Sequence, residues 1–153
     1  MSNTYSQIYI QVVFAVKGRE SLIDIQWEER LYKYITGIIR GKEQKLLAIN
    51  GMPDHIHILI GIKPNCTLSD LVREVKKSSN EFIREKHLSK FRFSWQDGFG
   101  AFSYNHAQVH SVIGYIMDQK LHHQKVTFRE EYLDLLKQFE IDHDNKYLFN
   151  WLD

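Results

Sequence analysis

Pro53-Asp54-His55-Ile56-His57-Ile58-Leu59-Ile60-Gly61 is the stretch that decides the fold. Apolar and β-branched residues fill it, and Pro53 and Gly61 bracket it, which predicts a strand. Successive side chains of a strand point to opposite faces, so His55, His57 and Leu59 share one face while Ile56, Ile58 and Ile60 share the other. The isoleucine face needs a core to cover it. The two histidines have two readings: neutral imidazoles placed side by side to hold a divalent metal, or half-exposed residues on a solvated face.

Upstream, Gln7 to Val16 alternates, with Ile8, Ile10, Val12, Phe14 and Val16 on one face and Gln7, Tyr9 and Gln11 opening the other. This is a strand with one buried face, and Lys17-Gly18-Arg19 interrupts it. From Gln26 to Arg40 the apolar spacing becomes helical through Trp27, Leu31, Tyr34, Ile35, Ile38 and Ile39, with Gly41 as the expected stop. Lys45 to Asn50 is a short second strand, joined to the histidine strand by a turn at Gly51 to Asp54.

Downstream, Thr67 to Glu85 predicts a second long helix whose buried stripe is Leu68, Leu71, Val72, Val75, Ser79, Phe82 and Ile83. Its other face carries Arg73, Lys76, Lys77, Asn80 and Arg84, a pattern that most often means a solvated face. The run continues as Lys86, His87, Lys90 and Arg92 interleaved with Phe91, Phe93 and Trp95. Such residues suit a single-stranded nucleic acid, because cations neutralise phosphates and aromatics stack on unpaired bases, although core packing is the commoner fate of the aromatics. Arg73, Lys76, Lys77, Ser78, Asn80 and Arg84 are accordingly candidate nucleic-acid contacts. Ala101 to Tyr104 is an edge-strand candidate after the glycines Gly98 and Gly100.

Gln108 to Val126 reads as a third helix, on which Tyr115 and Gln119, four residues apart, point together. Thr127-Phe128-Arg129-Glu130 is a capping box that starts a separate helix running to about Phe139. The apolar Tyr147 to Leu152 segment should dock on its own domain or on a partner subunit.

Composition bounds the function. The chain has 153 residues, 43% of them hydrophobic and 13% aromatic, which fits one folded domain over residues 1–153. No stretch approaches the roughly 18 apolar residues of a membrane span, and no secretory signal pattern opens the chain, so a cytoplasmic location is expected. Cys66 is the only cysteine. It leaves any metal to nitrogen and oxygen ligands and agrees with a reducing compartment. A net charge of +1 gives no broad attraction to nucleic acid, so a basic footprint has to be local.

The order strand, helix, strand, strand, helix, strand is that of a ferredoxin-like (RRM-like) α+β fold with an antiparallel sheet. With the two early helices on the isoleucine face, the face carrying His55, His57, Gln7, Tyr9 and Gln11 is left open for the tyrosine-bearing third helix to cross.

Taken together, Ile10 to Lys17, Met52-Pro53-Asp54-His55-Ile56-His57, Val75 to Ser79, Trp95 to Ser103 and Tyr115-Ile116-Met117-Asp118-Gln119-Lys120-Leu121-His122-His123 resemble the single-tyrosine HUH transposases of small, IS200-like insertion sequences. Phe99 stands where that family often has tyrosine, and Tyr104-Asn105-His106 replaces a stretch richer in serine and proline; neither touches the catalytic set. The resemblance implies that Tyr115 is the nucleophile, that His55, His57 and Gln119 hold Mg²⁺ or Mn²⁺, and that the substrate is single-stranded DNA with hairpins near the element ends. The candidate nucleic-acid contacts between Arg73 and Arg84 then become DNA contacts. It also implies a homodimer whose sites combine His55 and His57 of one subunit with Tyr115 of the other. Asp54, pointing off the histidine face, is read as a turn or supporting residue. His122 and His123 are read first as solvated or DNA-facing and only second as part of a metal site. Three other functions fit the residues: a domesticated relative acting on repeated palindromes, a non-catalytic single-strand-binding module, and a small metal-dependent hydrolase.

Overall fold

The computed structural model describes residues 3–18 and 22–144. The apolar segment from Tyr147 to Leu152 lies outside them. Strand β1 (Tyr9–Ala15) is followed by α1 (Glu28–Gly41), β2 (Lys45–Met52), β3 (His55–Gly61), α2 (Leu68–Glu85) and β4 (Gly100–Tyr104). A 3-10 turn at His106–Gln108 then leads into α3 (Val109–Met117), α4 (Gln119–His122) and α5 (Phe128–Gln138). The four strands form one sheet in the order β2-β3-β1-β4, with every neighbouring pair antiparallel. This is the ferredoxin-like arrangement expected from the order of elements.

Register fixes what each face carries. Val13 pairs with His57 and Ala15 with His55, while Phe14 pairs with Ile56 and Val12 with Ile58. Ile56, Ile58, Ile60, Val12 and Phe14 therefore meet Leu31, Ile35 and Ile39 of α1 and Leu71, Val72, Val75 and Ile83 of α2 in one continuous core. Both helices present their apolar residues at helical spacing, which is why they pack flat on that face. Thr67 caps α2 by accepting from the Asp70 amide at 3.3 Å. At the end of α1 the chain turns at Glu43, φ 63°, two residues beyond the glycine expected to stop it. Gly51 has to lack a side chain, because a Cβ there would collide with the His55 carbonyl.

The opposite face is crossed by the tyrosine-bearing helix, as expected, but that helix does not cover it alone: His55, His57 and Gln11 are fully buried. Helix α3 covers it through Val109, Val112 and Ile116 against Ala48 and Leu59, and α5 covers it through Phe128, Tyr132, Leu135 and Leu136 against Val13, Ala15 and Phe102. Nor is the tyrosine-bearing helix continuous. It breaks at Asp118 (φ −95°, ψ 16°), leaving Tyr115 on α3 and Gln119 at the start of α4. The Met117 carbonyl, left without a helical partner, accepts from Asn50 Nδ2 at 3.0 Å. Lys120 bridges the same region to Glu28 of α1 at 2.9 Å. Helix α5 begins at the predicted capping box, with the Glu130 amide donating to Thr127 Oγ1 at 3.2 Å.

Candidate metal centre and nucleophile

Between the two apolar patches of the histidine face lies a polar seam. His55 and His57 come from β3, Gln119 from α4, His123 from just beyond α4, and Glu131 from α5. His57 Nε2 and His123 Nε2 each stand 3.0 Å from Glu131 Oε1, and His55 Nε2 stands 3.4 Å from it. Gln119 Oε1 lies 3.2 Å from His55 Nε2 and 3.0 Å from His123 Nε2. Gln119 Nε2 donates to Glu131 Oε2 at 3.0 Å, and the Tyr115 hydroxyl donates to the same oxygen. Nucleophile candidate and histidine pair thus meet at one carboxylate of a single chain.

The far nitrogen of each imidazole fixes its orientation. His55 Nδ1 donates to Asp54 Oδ1, His57 Nδ1 to Gln11 Oε1 and His123 Nδ1 to the Val126 carbonyl, each at 2.7 Å. All three partners accept, so each Nδ1 is a donor and each Nε2 is turned into the seam; a neutral ring held this way presents the bare Nε2 that a metal ligand requires. Gln11 is held in turn by donating to the Tyr104 hydroxyl at 2.7 Å. The His55 ring stacks on Phe128 with centroids 3.8 Å apart. His55, His57, His123 and Glu131 each offer one ligating atom, and these atoms lie within 4.8 Å of one another. Imidazole nitrogens with a carboxylate and an amide oxygen fit a first-row divalent ion.

Burial and charge oppose each other here. Burial alone would raise the Glu131 carboxyl, but hydrogen bonds with His123, His55 and His57 outweigh it and hold the group well below the usual carboxylate range. Burial would lower His55, yet hydrogen bonds to Asp54 and Glu131 and their charges keep it above its ordinary value. His57 is pushed down to about 4, chiefly by burial. Burial, and then the charge of Glu131, raise the Tyr115 hydroxyl far above its ordinary value. A cleft of about 670 Å³ between α3 and α5 opens onto Tyr115, His122 and Glu131.

Sequence reasoning brought His55, His57, Gln119 and Tyr115 forward, and the fold gathers all four. Asp54 supports His55, as one of its two readings had it. His123 was read first as solvated or DNA-facing and instead belongs to the cluster, with its side chain only 4% exposed. His122 is partly exposed at the rim, 3.6 Å from Glu131 Oε2. Glu131 was missed. Its signal was its position, since Phe128, Glu131, Tyr132, Leu135 and Leu136 form the buried stripe of α5 and a carboxylate in such a stripe needs partners.

The residues assigned to DNA lie on the other layer, on α2. Arg73 and Lys77 are exposed, with Arg73 paired to Asp70 at 2.8 Å. Lys76 donates to the carbonyls of Gln96 and Gly98, Arg84 to that of Phe93, and Ser78 to Glu74. Lys76 and Arg84 thus fasten the 93–98 segment onto α2. Asn80 Oδ1 is buried without a hydrogen-bond partner. Arg73, Lys76, Lys77 and Asn80 line a groove of about 510 Å³ against residues 94–99. Of the interleaved aromatics, Phe93 and Trp95 belong to the core and Phe91 is exposed.

No helix among the described residues is long and apolar enough to cross a membrane. No curated protein matches the chain. Its fold is similar to that of a transposase candidate from Deinococcus radiodurans R1, with 20% identity and a TM-score of 0.61 over 78% of this chain and 95% of the other. It is also similar to a REP-associated tyrosine transposase whose structure contains a REP hairpin, with 19% identity and a TM-score of 0.60 over 82% of this chain and 74% of that one. At such identities the likeness is one of fold. A family model for IS200-like transposases matches residues 4–119, a span that takes in the histidine strand and ends at Gln119, and the chain belongs to that family of DNA strand-transfer enzymes.

Proposed function

We propose that this protein cleaves and rejoins single-stranded DNA at insertion-sequence ends through a covalent 5′-phosphotyrosine on Tyr115, with Mg²⁺ or Mn²⁺ held by His55, His57 and Gln119. The observation that carries the reading is the convergence of the Tyr115 hydroxyl and the Nε2 atoms of His55 and His57 on Glu131. The phenolic oxygen attacks the scissile phosphorus, a Tyr–O–P bond forms, and the P–O3′ bond breaks to release a 3′-hydroxyl. A 3′-hydroxyl from another DNA end then attacks the phosphotyrosine, which restores a phosphodiester and returns the tyrosine. The bond energy is retained for rejoining.

Burial and the Glu131 charge keep the phenol protonated at rest. A bound divalent ion supplies positive charge that favours the phenolate and stabilises the phosphoryl oxygens. Asp54, Gln11 and the Val126 carbonyl keep the imidazoles turned toward the site, and Glu131 holds the tyrosine hydroxyl beside them.

Arg73, Lys76, Lys77, Ser78, Asn80 and Arg84 are proposed to border the DNA. The groove lined by Arg73, Lys76, Lys77 and Asn80 and the unpartnered Asn80 oxygen support that placement for those four, with Ser78 and Arg84 on the same helix beside it. A hairpin substrate is supported by the hairpin on the REP-associated relative, which also favours a second reading in which the substrate is a repeated palindrome rather than an element end. A homodimer is proposed with it.

The test is incubation with hairpin-bearing single-stranded DNA and Mn²⁺, reading covalent protein–DNA adduct on a denaturing gel. Wild type should form adduct, and Tyr115→Phe should form none while still shifting the hairpin on a native gel. Adduct from the phenylalanine variant would overturn the assignment. Comparing DNA from the gene's own flanks with repeated palindromes separates the two substrates.

A further inference from the structure

The ligand set that the family resemblance implies ends at Gln119, where the family match also ends. His123 and Glu131 lie beyond it, yet α5 carries Glu131 back into the seam. From that placement we propose that Glu131 and His123 are themselves metal ligands, so that this protein has a centre of three imidazoles and a carboxylate, with Gln119 beside them, and prefers Mn²⁺ to Mg²⁺. The inference rests on the reading that His55 and His57 hold a divalent ion.

Four observations support it. The separations of Glu131 Oε1 from the three Nε2 atoms are 3.0, 3.0 and 3.4 Å. Two ligands bonded to one ion at about 2.1 Å sit about 3.0 Å apart at a right angle and about 3.4 Å apart at a tetrahedral angle. The spacings therefore suit neighbours on one ion. Second, His123 Nδ1 donates to the Val126 carbonyl, so the third imidazole is held in the same orientation as the first two, with Nε2 turned into the seam.

Third, Glu131 is 4% exposed, and among the described residues its side-chain partners are histidines, Gln119 and Tyr115, with no lysine or arginine. A buried carboxylate costs several kcal/mol unless compensated, and a dication bound among the imidazoles would offset that cost in place of their protons. Fourth, the element that supplies it is built to be rigid: Thr127 and Glu130 close a capping box immediately before Glu131. Metal preference follows from ligand type. Imidazole nitrogens suit first-row transition ions, and Mn²⁺, which also takes carboxylate oxygen, accepts them more readily than Mg²⁺, which favours oxygen ligands and retains its waters.

Isothermal titration of the full chain with MnCl₂ and with MgCl₂, together with pulsed electron paramagnetic resonance of bound Mn²⁺, tests this without using activity. Wild type should bind Mn²⁺ at least tenfold tighter than Mg²⁺ and show hyperfine coupling to three imidazole nitrogens. Glu131→Gln, close to isosteric, should weaken Mn²⁺ binding at least tenfold, and His123→Asn should reduce the nitrogen count to two. The wild-type nitrogen count needs no variant, so a misfolded substitution does not block the test. Two nitrogens in wild type, or wild-type Mn²⁺ affinity in both Glu131→Gln and His123→Asn while His57→Ala loses binding, would overturn the inference and leave the reading of the site standing. Wild-type affinity in His57→Ala would overturn that reading itself.

Discussion

The two faces of one sheet show how this chain separates stability from chemistry. On the isoleucine face, Ile56, Ile58 and Ile60 sit in a continuous apolar core closed by α1 and α2. On the histidine face, residues one position away in the same strand sit between two small apolar patches, with a polar seam between them. Fully burying an isoleucine stabilises the fold by about 1.5–3 kcal/mol, and no partner is needed. Burying His55, His57, Gln119 and Glu131 is favourable only because each polar atom meets another. A sheet whose period is two can hold both environments within seven residues.

The largest effect that sharpens this contrast is Ile58→Ala, expected to destabilise the protein by about 2–5 kcal/mol in urea unfolding while leaving Mn²⁺ affinity unchanged. Asp54→Ala should do the reverse. It frees His55 Nδ1, so metal affinity should fall about 10–100-fold by calorimetry, with a smaller loss of stability. If Ile58→Ala weakened metal binding as much as Asp54→Ala, the separation of the two faces would be wrong.

How much of this was legible in the sequence follows the same divide. Strict alternation in β1 and β3 and helical spacing in α1 and α2 report one buried stripe per element, so the isoleucine core could be read directly. The family resemblance supplied Tyr115 and Gln119, which spacing alone leaves among many ordinary helices. The cover of the histidine face was harder, because α3 and α5 share it and neither periodicity says which face a helix will find. The break at Asp118 has no proline or glycine to announce it, and the bond that stabilises it comes from Asn50 on β2, far away in the chain. Phe93 and Trp95 look like stacking residues beside lysines and arginines, but Trp95 Nε1 donates to the buried Ser79 hydroxyl at 2.9 Å, a pairing visible only in three dimensions.

A smaller effect tests the joint between the faces. Asn50→Ala removes the donor to the Met117 carbonyl and should cost about 1 kcal/mol in unfolding. Hydrogen exchange should quicken in residues 115–123 and stay unchanged in α1 and α2. Uniform change across the protein would mean that the broken helix is not held locally.

The smallest effect concerns Lys76, a half-buried cation that packs against the isoleucine layer. Lys76 donates to two carbonyls of the 96–98 segment and lies over the Phe14 ring at 5.2 Å, and burial pushes it down to about 8. A lysine in the unfolded chain titrates near ~10.4, so between pH 8 and 10 the unfolded state binds more protons than the folded one. Stability then rises with pH in that window, since its slope has the sign of the difference in bound protons, unfolded minus folded. Lys76 is partly exposed, and solvent screening holds the gain to about 1 kcal/mol or less. Above pH 10 the trend reverses: burial raises Tyr32, Tyr104 and Tyr132, and their loss of a proton favours unfolding. Urea midpoints of wild type and Lys76→Met measured at pH 8 and pH 10 isolate the lysine. Wild type should gain stability relative to the variant on going from 8 to 10. An equal response in the two proteins would place Lys76 in solvent and remove it from the layer that the isoleucine face supports.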